Sequence, residues 1–144
     1  LRESLAQAEA AVRSDPSDGQ SWYVLGNAHV SLFFAGGQSP GSARRALAAY
    51  AQAERVDPAA AANPDLHLNR ATLLQYLERF QAALEGLSRA AELAPGWDEP
   101  RKRHGNLLEF LSRLCSLLAN RVGHWGHWEG LGGTGGGLGG TGRG

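Results

Sequence analysis

One spacing recurs three times along the chain and restricts what it can fold into. A small residue is followed by an apolar one four places on, by alanine three places later and by proline after five more. Ala46, Tyr50, Ala53 and Pro58 carry it in the middle, and Ala83, Leu87, Ala90 and Pro95 carry it again. Ser4, Ala8, Ala11 and Pro16 repeat it near the start. Steps of four and three put the first three residues on one face of a helix, and the proline ends that helix. Ahead of the middle copy stand Trp22, Leu25, Gly26 and His29, and ahead of the last one Ala71 and Leu74, again at helical spacing. Such self-similarity marks a stack of helix pairs that bury apolar faces against their neighbours. Alanine and glycine at the contact positions let helices come close. Alanine is also the strongest helix former.

The order tryptophan, leucine-glycine, alanine, aromatic, alanine, proline resembles the tetratricopeptide repeat (TPR). The resemblance implies an all-α, helix-turn-helix solenoid. Residues 1–18 read as a partial repeat, 19–58 as a full repeat with a loop insertion, and 64–97 as a second full repeat. Residues 98–119 read as a capping helix. Trp22 and Pro58 are 36 positions apart, against about 28 in the consensus. The surplus is expected in residues 35–42, a turn-rich loop. Ala59 to Asn63 lengthen the linker by about three residues, and Glu78-Arg79-Phe80 reads as the short turn of the second repeat. Pro100 suits a helix start. Leu107, Leu108, Phe110, Leu111, Leu114, Leu117 and Leu118 then form a broad apolar stripe, expected to cover the open edge of the stack. Cys115 on that stripe reads as a buried small apolar residue.

From about Asn120 the composition changes to glycine, and 120–144 is expected to be a disordered tail, because almost nothing apolar offsets the entropy of ordering it. His124-Trp125-Gly126-His127-Trp128 resembles a metal or aromatic-ligand motif, but reads better as an accidental low-complexity stretch. Two histidines without further ligands make no metal site, and no cofactor is expected. With no methionine and Leu1 at its start, the chain reads as an internal piece of a longer protein.

The chain carries 14 basic and 14 acidic residues, a net charge of zero, which argues against a polyanion binder. Arg101-Lys102-Arg103-His104 is a short basic cluster best explained as a solvated helix face. No apolar run approaches the roughly 20 residues that span a bilayer. The single cysteine permits no internal disulfide and suits a reducing compartment. No phosphate loop, metal-spaced cluster or nucleophile beside a base is present, so a non-enzymatic role is expected. His67 and His104 have no such partner in sequence.

In TPR folds the first helix of each pair lines a concave groove, and positions 2, 5, 9, 12 and 13 face it. Here those are Gln20, Tyr23, Asn27, Val30 and Ser31, then Asp65, Leu68, Thr72, Gln75 and Tyr76. In the capping helix they are Glu99, Lys102, Asn106, Glu109 and Phe110. The expected peptide-binding set is Asp65, Glu99, Asn27, Tyr23, Thr72, Tyr76 and Asn106. Amides such as Asn27 and Asn106 both donate to and accept from a peptide backbone. Asp65 and Glu99 recur at one repeat position and suit a basic side chain or free amine. Each residue also has a plainer reading. Asp65 and Glu99 stand where a carboxylate stabilises a helix N-terminus, Asn27 and Asn106 where amides are simply solvated, and Tyr23 and Tyr76 where rings pack.

Residues 21–27, 49–54 and 63–73, with 83–86, 88–91 and 107–111, resemble one branch of TPR adaptors over about residues 1–119. In that branch the array continues into an OB-fold domain, where this chain instead has its glycine-rich segment. The resemblance implies protein partners, in the cytoplasm and the nucleus. One set is nascent tubulin at the ribosome, whose amino terminus Met-Arg-Glu-Ile or Met-Arg-Glu-Cys is read to trigger tubulin mRNA decay. The other is a set of transcription coactivators, including a histone acetyltransferase coactivator, assembled under stress and DNA damage. It implies Asp65 and Glu99 as groove carboxylates; from charge and apolar patterning, neither a membrane nor direct nucleic-acid contact is expected.

Overall fold

The computed structural model describes the backbone of residues 1–131 and the side chains of residues 1–121. Residues 132–144 lie outside it, as do the side chains of His124 and His127, so the expected tail beyond 131 and the histidine motif fall outside the described residues. Among those residues the chain is helical with short connections and no strand: α1 (Arg2–Ser14), α2 (Gly19–Ala35), α3 (Pro40–Val56), α4 (Pro58–Ala61), α5 (Pro64–Tyr76), α6 (Phe80–Leu93) and α7 (Asp98–Leu131). The chain forms two compact units, Leu1–Gly105 and one beginning at Asn106, so the division falls inside α7.

Local chemistry sets the helix starts. Asp18 caps α2 by accepting from the backbone N–H groups of Gln20 and Ser21 at 3.3 and 3.2 Å. The Ser21 hydroxyl adds a bond of 2.5 Å, and this bond above all holds the Asp18 carboxyl below its usual range. Asp57 caps α4 through Ala59 N–H at 2.9 Å, and Asn63 caps α5 through Asp65 N–H at 3.0 Å. Proline opens α3, α4 and α5, where its missing N–H costs nothing.

In the first unit, helices pack as pairs, α2 with α3 and α5 with α6, and α1 lies against α2. Tyr50 is fully buried with Ala53, Ala60 and Leu66, flanked by Trp22, Tyr23 and Val30. Gly26 admits it: a Cβ there would lie 2.5 Å from Tyr50 Cε1. A second cluster joins Phe33, Ala43 and Ala46 to Leu73, linking the two repeats, and a third joins Ala8 and Val12 of α1 to Leu25 and Ala49. Each large aliphatic buried in this way contributes roughly 1.5–3 kcal/mol over an exposed one. Trp22 is anchored to the proline that follows α1, its indole N–H donating to the Pro16 carbonyl at 2.8 Å.

Four expectations change. The surplus placed in a loop at 35–42 is half helix: α2 runs to Ala35 and α3 starts at Pro40, leaving Gly36 to Ser39 as the connection. Pro40 starts the next helix as soon as the chain has turned through Gly37 (φ 85°) and Gln38 (φ 63°). The capping helix does not stop at residue 119. It continues to Leu131, so residues 120–131, expected in the tail, are helical. The apolar stripe is not covered along its length. Leu107 is 1% exposed, but Leu108, Phe110, Leu114, Leu117 and Leu118 are 38–67% exposed. Cys115 shares that situation and is exposed rather than buried.

Candidate functional site

On α5, Asp65, Asn69, Thr72 and Tyr76 follow one another at steps of four, three and four, so they share one face of the helix. That face meets α2 at two points. At the first, Asn27 Oδ1 accepts from the Asn69 amide at 3.1 Å and from the Tyr50 hydroxyl at 2.6 Å. Burial pushes the Tyr50 phenol well above its usual range, with Tyr23 adding to the rise and Arg70 opposing it, so this hydroxyl remains a donor. With its oxygen doubly occupied, Asn27 keeps its two amide N–H groups without a partner among the described residues. At the second point, Phe33 and Phe34 of α2 meet Tyr76 of α5. The three rings stand edge to face, with centroids 5.1–5.5 Å apart and planes at 80–86°.

Between these points lies Thr72. Its hydroxyl donates to the Leu68 carbonyl at 2.9 Å and accepts from Arg103 Nη1 at 2.8 Å. The Arg103 Nε donates to Glu99 Oε1, also at 2.8 Å. Glu99 is therefore already occupied by a cation from its own helix. The pair is about two-fifths exposed, so solvent screens it and it opens at small cost. Asp65, by contrast, is exposed in the first turn of α5 and makes no ion pair among the described residues. Its neighbour Asn63 does the capping, which leaves the Asp65 carboxylate uncommitted apart from the helix dipole.

Behind this face sits a part-buried polar chain. Arg70 pairs with Glu54 at 2.5 Å and lies 3.3 Å from His67 Nδ1. His67 Nε2 lies 2.7 Å from the Ala61 carbonyl. A carbonyl only accepts, so Nε2 carries the hydrogen and Nδ1 accepts from Arg70. His67, without a partner in sequence, ties α4 to α5.

The expected site residues therefore separate. Asp65, Asn27, Thr72 and Glu99 fall along one surface of the first unit. Tyr23 is half-buried beside Tyr50, with centroids 6.4 Å apart, and serves packing. Tyr76 is 48% exposed at the far end of the surface. Asn106 is exposed and belongs to the second unit. The repeat frame did not pick out Asn69, Arg103 or Phe34. Asn69 could have been found one turn beyond Asp65; Arg103 was hidden in a basic cluster that looked like plain solvated surface. A hollow of about 370 Å³ lined by Leu84, Glu85, Ser88, Arg89, Glu92 and His104 contains none of these residues.

No protein-family model matches the chain. Over 121 residues it is 58% identical to Tetratricopeptide repeat protein 5 of Homo sapiens and of Mus musculus, and 56% identical to that of Bos taurus. The match takes in 84% of this chain and 28% of each relative, so the chain spans less than a third of their length. Residue identity at this level, carried on helix pairs packed through Gly26, Ala46 and Ala53, shows that the chain has the fold of a tetratricopeptide repeat solenoid.

Proposed function

We propose that the chain is a TPR adaptor that holds an extended, basic peptide segment of another protein along the α2–α5 surface. The observation that carries this reading is the pairing of two uncommitted groups on that surface: the Asp65 carboxylate and the N–H groups of Asn27. The carboxylate suits an arginine or free amine, and the amide suits a backbone carbonyl. Glu99 joins them once a ligand cation displaces Arg103. By the resemblance drawn from residues 63–73, the ligand is the Met-Arg-Glu-Ile amino terminus of nascent tubulin at the ribosome, in the service of tubulin mRNA autoregulation.

Fluorescence polarisation with a labelled Met-Arg-Glu-Ile peptide tests this on the wild-type chain and on Asp65→Lys. Saturable binding that Asp65→Lys abolishes, with helicity retained, supports the reading. Binding that survives the reversal would overturn it and favour the other role of the resemblance, a stress-response scaffold for transcription coactivators that engages outer helical faces. The apolar residues left exposed on α7 favour that second reading, since a scaffold needs such a face.

A further inference from the structure

Two large aromatic side chains, Phe34 at 40% and Tyr76 at 48% exposure, lie side by side at the C-terminal ends of α2 and α5. Phe33, 2% exposed, stands edge-on to both at 5.1 and 5.5 Å, and Phe34 and Tyr76 meet each other at 5.4 Å. A fixed apolar ledge loses little entropy when a ligand covers it. Tyr76 is on the same face of α5 as Asp65, eleven residues away. At a rise of about 1.5 Å per residue the two are roughly 16 Å apart along the helix. An extended peptide advances about 3.3 Å per residue, so it covers that distance in about five residues.

We infer that Phe34 and Tyr76 form an apolar subsite that takes a bulky aliphatic or aromatic side chain about five residues from the ligand's basic residue. The inference rests on the peptide-holding reading and deepens it. The occupant is an extended peptide with a cation at one end and an apolar side chain at the other. Its cation matches the carboxylate of Asp65, and the intervening backbone passes the N–H groups of Asn27. The subsite makes the site a two-point reader, in which spacing selects the ligand as much as charge does.

Anisotropy titrations with capped peptides test it, each with one arginine in a serine-alanine background. One peptide has no apolar residue; the others have a leucine two, five or eight places from the arginine. The five-place peptide is expected to bind the wild-type chain about tenfold tighter than the arginine-only peptide, the gain from covering one large apolar side chain. Tyr76→Ser and Phe34→Ser, each checked for helicity by circular dichroism, are expected to abolish the difference between the five-place and the arginine-only peptide. A flat series on the wild-type chain, or a spacing preference that survives both variants, overturns the subsite. Where the series is flat but arginine-only binding is lost in Asp65→Asn, the subsite alone falls. Where no peptide saturates the chain, the peptide-holding reading falls with it.

Discussion

Glycine 26 offers a test of the packing with an internal control. In an α-helix, glycine to alanine ordinarily stabilises by about 1 kcal/mol, because alanine is the better helix former. At Gly105, in α7, an added Cβ meets nothing within 4 Å, so Gly105→Ala should gain about that amount. At Gly26 the same methyl would lie 2.5 Å from Tyr50 Cε1, 2.7 Å from Cδ1 and 3.0 Å from Cζ. The ring cannot retreat. It is fully buried against Ala53, Ala60 and Leu66, and its hydroxyl is fixed to Asn27. Overpacking of a closed core costs typically 1–3 kcal/mol, and contact with a rigid ring on all three of these atoms belongs at the upper end. After the propensity gain, Gly26→Ala should lose about 1–2 kcal/mol, and the two alanines should differ by about 2–3 kcal/mol. Urea denaturation followed by circular dichroism at 222 nm reads this directly, as midpoints displaced in opposite directions with an unchanged slope. If Gly26→Ala is as stable as Gly105→Ala, the close approach of α2 to Tyr50 is not what holds the first repeat together, and the packing argument fails.

Three further outcomes follow from the same structure. Tyr50→Phe keeps the ring but removes one of the two donors to Asn27 Oδ1, so it should lose about 1 kcal/mol in urea midpoint experiments; an unchanged midpoint would show that the hydroxyl carries nothing. Glu78 holds a φ of 61° where α5 ends, closed by Arg79 N–H to the Leu74 carbonyl and Glu78 N–H to the Gln75 carbonyl, so Glu78→Gly should gain about 0.5–1 kcal/mol. His29 is buried with Nδ1 unpartnered, and burial, with Arg45 adding and Glu9 opposing, holds its proton affinity below the usual value of 6.5. The unfolded chain then binds the proton more readily than the folded one. Stability should be full above about pH 6.5 and fall as the pH drops below it, with the fall reduced in His29→Phe; melting curves at pH 5.5 and 7.5 check this, and an equal fall in both proteins would clear His29 of the effect.

The fold was legible because its contacts are written at fixed spacing. Ala46, Tyr50 and Ala53, like Ala83, Leu87 and Ala90, occupy the buried faces that the recurring spacing assigns them. The failures came where a local rule met a longer-range one. Gly36 and Gly37 end α2 as turn residues should, but Pro40 restarts helix at once, so an apparent loop became two longer helices. On α7, the periodic leucines suggest a covered face, yet periodicity states only which side is apolar and not whether anything lies on it. The candidate site was half legible. The repeat frame assigns Asp65, Asn27 and Thr72 to one groove, and the structure sets them along the α2–α5 surface, but no spacing rule reports that Arg103 reaches back to Glu99 and across to Thr72.

Tyr50 shows why part of the site came with the fold. Its ring is the wedge that Gly26 admits and that Leu66 and Ala60 close over, and its hydroxyl, at the end of the same rigid side chain, fixes the oxygen of Asn27. Once that oxygen is satisfied by Tyr50 and Asn69, only the N–H side of the amide is left for a ligand, so a core residue decides the polarity of a surface group. The Phe34–Tyr76 ledge is set in the same way, since Phe33 packs with Ala43, Ala46 and Leu73 on one side and steadies both exposed rings on the other. Groups whose geometry is inherited from the core need no ordering when a peptide arrives, and so contribute most of their contact energy to binding. Arg103 and Glu99 are held more loosely: both are partly exposed, joined to each other by a short helical ion pair and to α5 through the Arg103–Thr72 hydrogen bond, which makes theirs the part of the surface that a ligand can rearrange.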